Sequence, residues 1–300
     1  MRQPRYAWGI AMVAGAGALW SLIGIVIKSL DGMETWQVLF WRSAGMVAVL
    51  ALFLVWRGGS LLRGTGPAGF VGALGLIAAF GGGIAAIQSL PLANAVILFS
   101  AAPFLTALIG RIVLGERVRP VTWAAIALAT LGIWRMIAGA TLDDGALAGQ
   151  IAGQIAGQIA GIGSALGFAV FTVALRAGKG GEMLPTVLLG GVFSMIAAAA
   201  ILSFRGLPLL TAPADMVTAA LMGAVLLGLG MTLYTTGSRI IPAGELALLS
   251  QVEVILAPIW AWLIFAETPS PTTLQGGAMI LCALLVNAVT GARARMAQTA

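Results

Sequence analysis

Histidine is absent from this 300-residue chain. That excludes His-liganded zinc, haem with a His axial ligand and His proton relays. Cysteine occurs once, at Cys282 in an apolar stretch, so no disulfide forms within the chain. Charge is scarce: Asp, Glu, Lys and Arg make up 9% of the residues, against about 25% in soluble domains. Hydrophobic residues make up 60%. A chain so poor in charge needs a solvent other than water. No Walker P-loop is present, so this chain does not itself draw on ATP. No pair of apolar segments carries an Asp–Asp dyad, a His-rich oxygenase site or a Ser–His pair. An enzyme is therefore not expected, and no catalytic residue, cofactor or metal is assigned. The formal charge of +6 comes from basic residues scattered in short intersegment stretches. That pattern fits membrane orientation better than nucleic-acid binding.

What is present is apolar length. A bilayer core needs roughly 20 apolar residues of helix. Ten segments qualify, at about 8–27, 35–56, 67–89, 92–110, 120–139, 150–175, 184–204, 214–236, 241–265 and 271–291. Turn chemistry or charge separates them, as at Asp31-Gly32, Pro91, Gly115-Glu116, Asp143-Asp144-Gly145, Pro242 and Pro269. The N-terminal apolar stretch is read as the first span rather than a leader, since no small-residue cleavage site precedes a soluble domain. Gly is abundant at 41 residues, as expected where membrane helices pack closely. With the N-terminus in the cytoplasm, twelve Lys and Arg residues fall inside and three (Lys28, Arg135, Arg205) outside, while Arg42 lies within a span. Both termini are therefore expected inside.

The two halves align without a gap at an offset of 151 residues. Pro91 meets Pro242, Glu116 meets Glu267, Pro120 meets Pro271, Lys28 meets Lys179 and Gly72 meets Gly223. Trp20 meets Phe171. The breaks between segments coincide too. Five spans per half is an odd number, so the second copy enters the membrane from the opposite side. An in-plane pseudo-two-fold axis is expected, as in many alternating-access transporters. Duplication alone and channels with inverted repeats share this pattern, but no pore signature is visible.

The repeat carries recognisable residues. PLANAVILFSAAPFLTALIGRIVLGERV (Pro91 to Val118) and PAGELALLSQVEVILAPIWAWLIFAETPSP (Pro242 to Pro271) resemble the two copies of the EamA domain. LWS (Leu19 to Ser21) and FWR (Phe40 to Arg42) do so as well. Over about residues 8–291 the chain resembles the drug/metabolite transporter superfamily, with the plan of ten-span amino-acid exporters of the YddG type. The resemblance implies an all-α integral membrane protein of ten transmembrane helices. These form two inverted five-helix repeats, 8–139 and 146–291, around a central cavity bordered mainly by spans 1, 3, 4, 6, 8 and 9. It implies transport of small metabolites across a bacterial inner membrane. One departure is visible: Val252-Glu253-Val254 stands where many relatives have Glu-Pro, which predicts a weaker kink in span nine.

Charges inside a span are costly and often functional. Glu253 lies mid-span, with Ser250, Ala257 and Trp260 on its helical face. Two roles fit it: a partner for a substrate ammonium or a coupling proton, or a helix-locking hydrogen bond. Arg42 could attract a carboxylate, snorkel to the interface or pair with Glu34, and a structural role is expected. Glu245 suits a helix start. Glu116 and Glu267 are expected to bond backbone or Arg groups at helix ends. The candidate substrate-binding set is Trp20, Ser21, Gln88, Asn94, Ser100, Phe171, Thr172, Tyr234, Gln251 and Glu253, with interhelical hydrogen bonding as the alternative role of each polar member. Pro103 and Pro258 are candidate hinges or simple kinks. In the run Gly149 to Gly161, glycines every four residues form a ridge for close packing. Gln150, Gln154 and Gln158 form the next ridge, expected to face an outer vestibule or another helix.

The expected function is secondary transport, export of amino acids or similar metabolites above all, with protons as a candidate coupling ion. The competing readings are an uncoupled facilitator or channel, and a drug or sugar-phosphate carrier of the same superfamily. With Arg42 the clear mid-span cation, a zwitterion fits better than a phosphorylated substrate.

Overall fold

A computed structural model of the chain describes residues 3–58, 60–61, 65–116, 118–141, 148–178, 183–238 and 252–299. Among these residues, eight helices are long and apolar enough to cross a membrane: α1 Tyr6–Lys28, α2 Thr35–Trp56, α3 Pro67–Ser89, α4 Leu92–Leu114, α5 Pro120–Ala138, α6 Gly149–Ala177, α7 Met183–Phe204 and α8 Pro213–Gly237. Two shorter apolar helices follow, α9 Val252–Phe265 and α10 Pro271–Asn287. The expected ninth span starts at 241, and its first part lies outside the described residues.

Local chemistry sets the helix ends. Proline opens α3, α5, α8 and α10, where its missing N–H costs nothing. Glu34 and Gln37 form a capping box at the start of α2. Gly115 closes α4 in the left-handed region at φ 66°. Three helices are interrupted. The first expected span is broken at Leu22, where Ser21 Oγ donates back to the Ala18 carbonyl at 2.7 Å. In α4 the helix breaks at Ser100-Ala101 and restarts at Ala102 with Pro103 in its first turn. In α8 the stretch Met222–Leu229 is π-helical.

Bare backbone lets the helices meet. On α3, a Cβ added at Gly75 would sit 2.7 Å from the Gly167 carbonyl of α6. On α5, one at Gly132 would sit 2.7 Å from the Gly276 carbonyl of α10. Lipid tails are as apolar as Leu, so close contact and dispersion hold such interfaces together. The main core runs through α1 to α4 and α6 to α9, with Leu39, Met46, Leu76, Ile84, Leu98 and Phe171 among its members. A second cluster joins α5 to α10 through Ala125, Ala129, Ile280 and Ala283. The outside of the molecule is apolar: Phe204 is 95% exposed and Trp56 79%. Such a surface belongs in lipid.

The most extensive packing pairs obey a rule that the smaller contacts do not all follow. Helices α1 and α8 pack together, as do α6 and α3; α2 and α8, as do α7 and α3; α4 and α6, as do α9 and α1. The pairs α2–α7, α4–α9 and α5–α10 are also in contact. Exchanging every helix with the one five places along maps this set onto itself.

Candidate functional site

Glu253 is the second residue of α9, in its first turn. The two faces of that helix differ sharply. Ile255, Ile259, Trp262 and Leu263 are exposed, whereas Ala257 and Ala261 are buried. Glu253 is half-buried and stands four and seven residues before Ala257 and Trp260, so it shares the inward face. The Trp260 indole N–H donates to Ser21 Oγ at 3.1 Å, which ties this face to the break in α1. Pro258 lies inside α9, and the helix runs unbroken from Val252 to Phe265.

One residue before Ser21, the Trp20 ring meets Tyr234 of α8, with centroids 5.3 Å apart and planes tilted by 41°. The Trp20 indole nitrogen is buried and has no hydrogen-bond partner. It lies where any side chain at Gly230 would collide. Trp20, Ser21, Tyr234 and Trp260 thus form one group on α1, α8 and α9, and Glu253 is on the same face of α9. Its polar atoms include a sealed, unspent N–H beside aromatic rings, which suits a small polar solute with an apolar part.

Other candidates lie elsewhere. Phe171 is 1% exposed and its ring packs at Gly72 in the contact between α3 and α6. Thr172 Oγ1 donates to the Phe168 carbonyl of its own helix at 2.9 Å, and Ser100 Oγ to the Ile97 carbonyl at 2.6 Å. Asn94 has a buried Oδ1 without a partner near the start of α4. Gln88, at the end of α3, donates to the Met33 carbonyl and accepts from Thr35. It lines a cavity of about 380 Å³ with Ile27, Lys28, Leu30, Asp31, Ile87 and Phe265. Pro103 sits in the first turn after the α4 break. Gln251 and Glu245 lie outside the described residues. In the glycine ridge, Gly157 packs on Ser89 and Leu90 and Gly161 on Leu98, while Gly149 and Gly153 meet open space. Gln158 is buried, with no partner for its Oε1.

Among the described residues, three ion pairs join distant parts of the chain. Lys28 pairs with Glu267, whose second oxygen accepts from the Leu92 backbone N–H at 2.8 Å. Arg176 pairs with Glu116 at 3.1 Å. Arg205 pairs with Glu34 at 3.3 Å. The last contact corrects two expectations for Arg42. Its suggested partner Glu34 is occupied by Arg205 on the exposed surface, and Arg42 does not snorkel, because it is 5% exposed. Its guanidinium carbon lies 4.7 Å from the centroid of Phe80 on α3, while Nε and Nη2 are buried without partners. The sequence flagged Arg42 through FWR but did not show that its neighbours would leave it unpaired.

A model of the EamA-like transporter family matches residues 7–138 and 155–289, one copy in each half of the chain. A crystal structure of another protein superposes with a TM-score of 0.64 at 20% sequence identity, covering 98% of this chain and 99% of that one. At that identity the likeness concerns the fold. No curated protein matches the chain.

Proposed function

The chain belongs to the EamA-like transporter family, and on that premise we propose a secondary transporter that exports amino acids or similar small zwitterions by alternating access. It has two EamA repeats and an all-helical membrane build. The proposal adds ten spans, repeats bounded at 8–139 and 146–291, an in-plane pseudo-two-fold axis, and an inner-membrane location with both termini cytoplasmic.

The observation that carries this reading is the packing rule, since exchange of α1–α5 with α6–α10 maps the nine most extensive helix contacts onto one another. Two repeats that can trade places can also trade conformations, which yields outward-open and inward-open states of similar energy. The ion pairs support it. Glu267 follows α9 and holds Lys28 at the end of α1. Glu116, its counterpart at the 151-residue offset, follows α4 and holds Arg176 near the end of α6. Each repeat thus grips the first helix of the other, and inversion would put the two grips on opposite membrane faces.

The group on α1, α8 and α9 is the proposed binding site, with Trp20 and Tyr234 against the apolar part of the solute and Glu253 toward its ammonium or a coupling proton. Asn94, Gln88 and the outer cavity lie on the proposed route. The test is counterflow in proteoliposomes with an amino-acid panel. Accumulation of labelled amino acid against a trapped pool is expected. Flux with no counterflow supports the second reading, an uncoupled facilitator or channel. Uptake of sugar phosphates alone would move the chain to the phosphate-carrying branch of the superfamily.

A further inference from the structure

Arg42 is a buried cation that pairs with no anion among the described residues. It is 5% exposed, and two of its guanidinium nitrogens, Nε and Nη2, are sealed from solvent with nothing to donate to. Of the six described acidic residues, Glu34, Glu116 and Glu267 are taken by other cations, and Asp31, Asp215 and Glu253 form no ion pair with Arg42. The adjacent Ser43 hydroxyl is fully buried and also lacks a partner. Phe80 supplies a ring face at 4.7 Å, which partly offsets desolvation but offers no hydrogen-bond acceptor in the guanidinium plane.

A charge left in this condition is strongly unfavourable, and native interiors seldom tolerate it. The surroundings also hold it in place. Across from it, the α8 backbone at Gly223 lies so close to the Arg42 carbonyl that any Cβ there would clash. That part of α8 is the π-helical stretch Met222–Leu229, and π-helical turns inside α-helices are frequent at functional sites. The arrangement has a buried fork, an aromatic plate over it and a π-helical stretch packed against its own backbone.

We infer that Arg42 is the recognition group for a solute carboxylate, which its guanidinium grips through two parallel N–H···O bonds. In the present state the fork is sealed from solvent, so the helices around it must part to admit the solute. The inference rests on the proposed transport of zwitterions and adds the anion half of their recognition, at a position where the sequence alone favoured a structural role.

The test uses the purified full chain in detergent. Neutral L-amino acids, the amide of each and the des-amino acid of each are titrated by intrinsic Trp fluorescence, with the unfolding temperature followed in parallel. At least one carboxylate-bearing probe is expected to bind tenfold or more tighter than its amide. Arg42→Met should bring that ratio close to one. Arg42→Lys, which keeps the charge but loses the fork, should retain part of it. If Arg42→Met does not fold, the wild-type ratio and Arg42→Lys decide. Binding of des-amino acids alone, in an Arg42-dependent way, keeps the inference and overturns zwitterion transport. Equal binding of acid and amide overturns the inference, even where amino-acid counterflow succeeds. So does a carboxylate preference that survives in Arg42→Met, or stabilisation by chloride and no carboxylate.

Discussion

Trp260 and Ser21 show how one hydrogen bond can place a whole face. The Ser21 hydroxyl gives its proton to the Ala18 carbonyl and accepts the Trp260 indole N–H, so both of its roles are used at the break in α1. A single such bond contributes about 0.5–1.5 kcal/mol. Trp260→Phe and Ser21→Ala should each lower stability by about that much. The double variant should cost less than their sum, as measured by denaturant titration in detergent micelles. Glu253 depends on the same face. With Ile255, Ile259 and Trp262 turned outward, its carboxylate is turned away from lipid, where it would cost about 2.5–3.5 kcal/mol on insertion scales. Glu253→Gln keeps the shape and removes the titratable charge. The variant should fold and lose transport rate or its pH dependence. Wild-type rate and pH profile for every transported amino acid would make Glu253 a structural residue.

Between elements, small residues and ion pairs divide the work. The contact between α3 and α6 is backbone on backbone, since the atom that faces Gly75 is the Gly167 carbonyl at 2.7 Å from a built Cβ. A carbonyl cannot rotate away as a side-chain end can. Gly75→Leu should therefore cost at least the about 1–3 kcal/mol typical of overpacking, read as a loss of the folded peak in size exclusion or a fall in unfolding temperature. The ion pairs act at the helix ends. Lys28 and Glu267 are 18% and 24% exposed, against 50% and 42% for Arg176 and Glu116. Solvent screens the second pair more, and exposed pairs contribute about 0–1 kcal/mol. If each pair closes one face, Glu267→Gln and Glu116→Gln should shift the conformational balance in opposite directions, Glu267→Gln more strongly. Reporter cysteines near each pair, labelled from one side at a time, would measure this. A shift in the same direction for both variants would contradict the gate assignment.

The whole molecule presents an apolar surface with its charges gathered toward helix ends and loops. Arg57, Arg111 and Arg176 end or follow α2, α4 and α6, the ends that positive-inside bias assigns to the cytoplasm. A C-terminal fusion to a reporter active only in the periplasm should stay silent, and one active in the cytoplasm should signal. The opposite result would invert the proposed topology. It would also exchange the faces assigned to the two ion pairs, without altering the packing rule.

The amino-acid sequence by itself determined that the chain lives in lipid, where its helices start and stop, and that it is built twice. Those properties follow from local composition, proline and glycine placement and a fixed offset, and none needs knowledge of which helices touch. The bounds of the first eight expected segments lie within a few residues of the eight span-length helices, although α1 is interrupted at Leu22 and α4 at Ser100-Ala101. The sequence also singled out Trp20, Ser21, Tyr234 and Glu253. Which of the polar residues stay unspent was a tertiary matter. Thr172 and Ser100 bond their own helices, and Phe171 fills the core. Arg42 lost its expected partner because Glu34 sits beside Arg205, 171 residues away in sequence. A side chain's chemistry is written in its type, but whether its hydrogen bonds and charge are satisfied depends on neighbours brought by other helices, and that only the packed bundle decides.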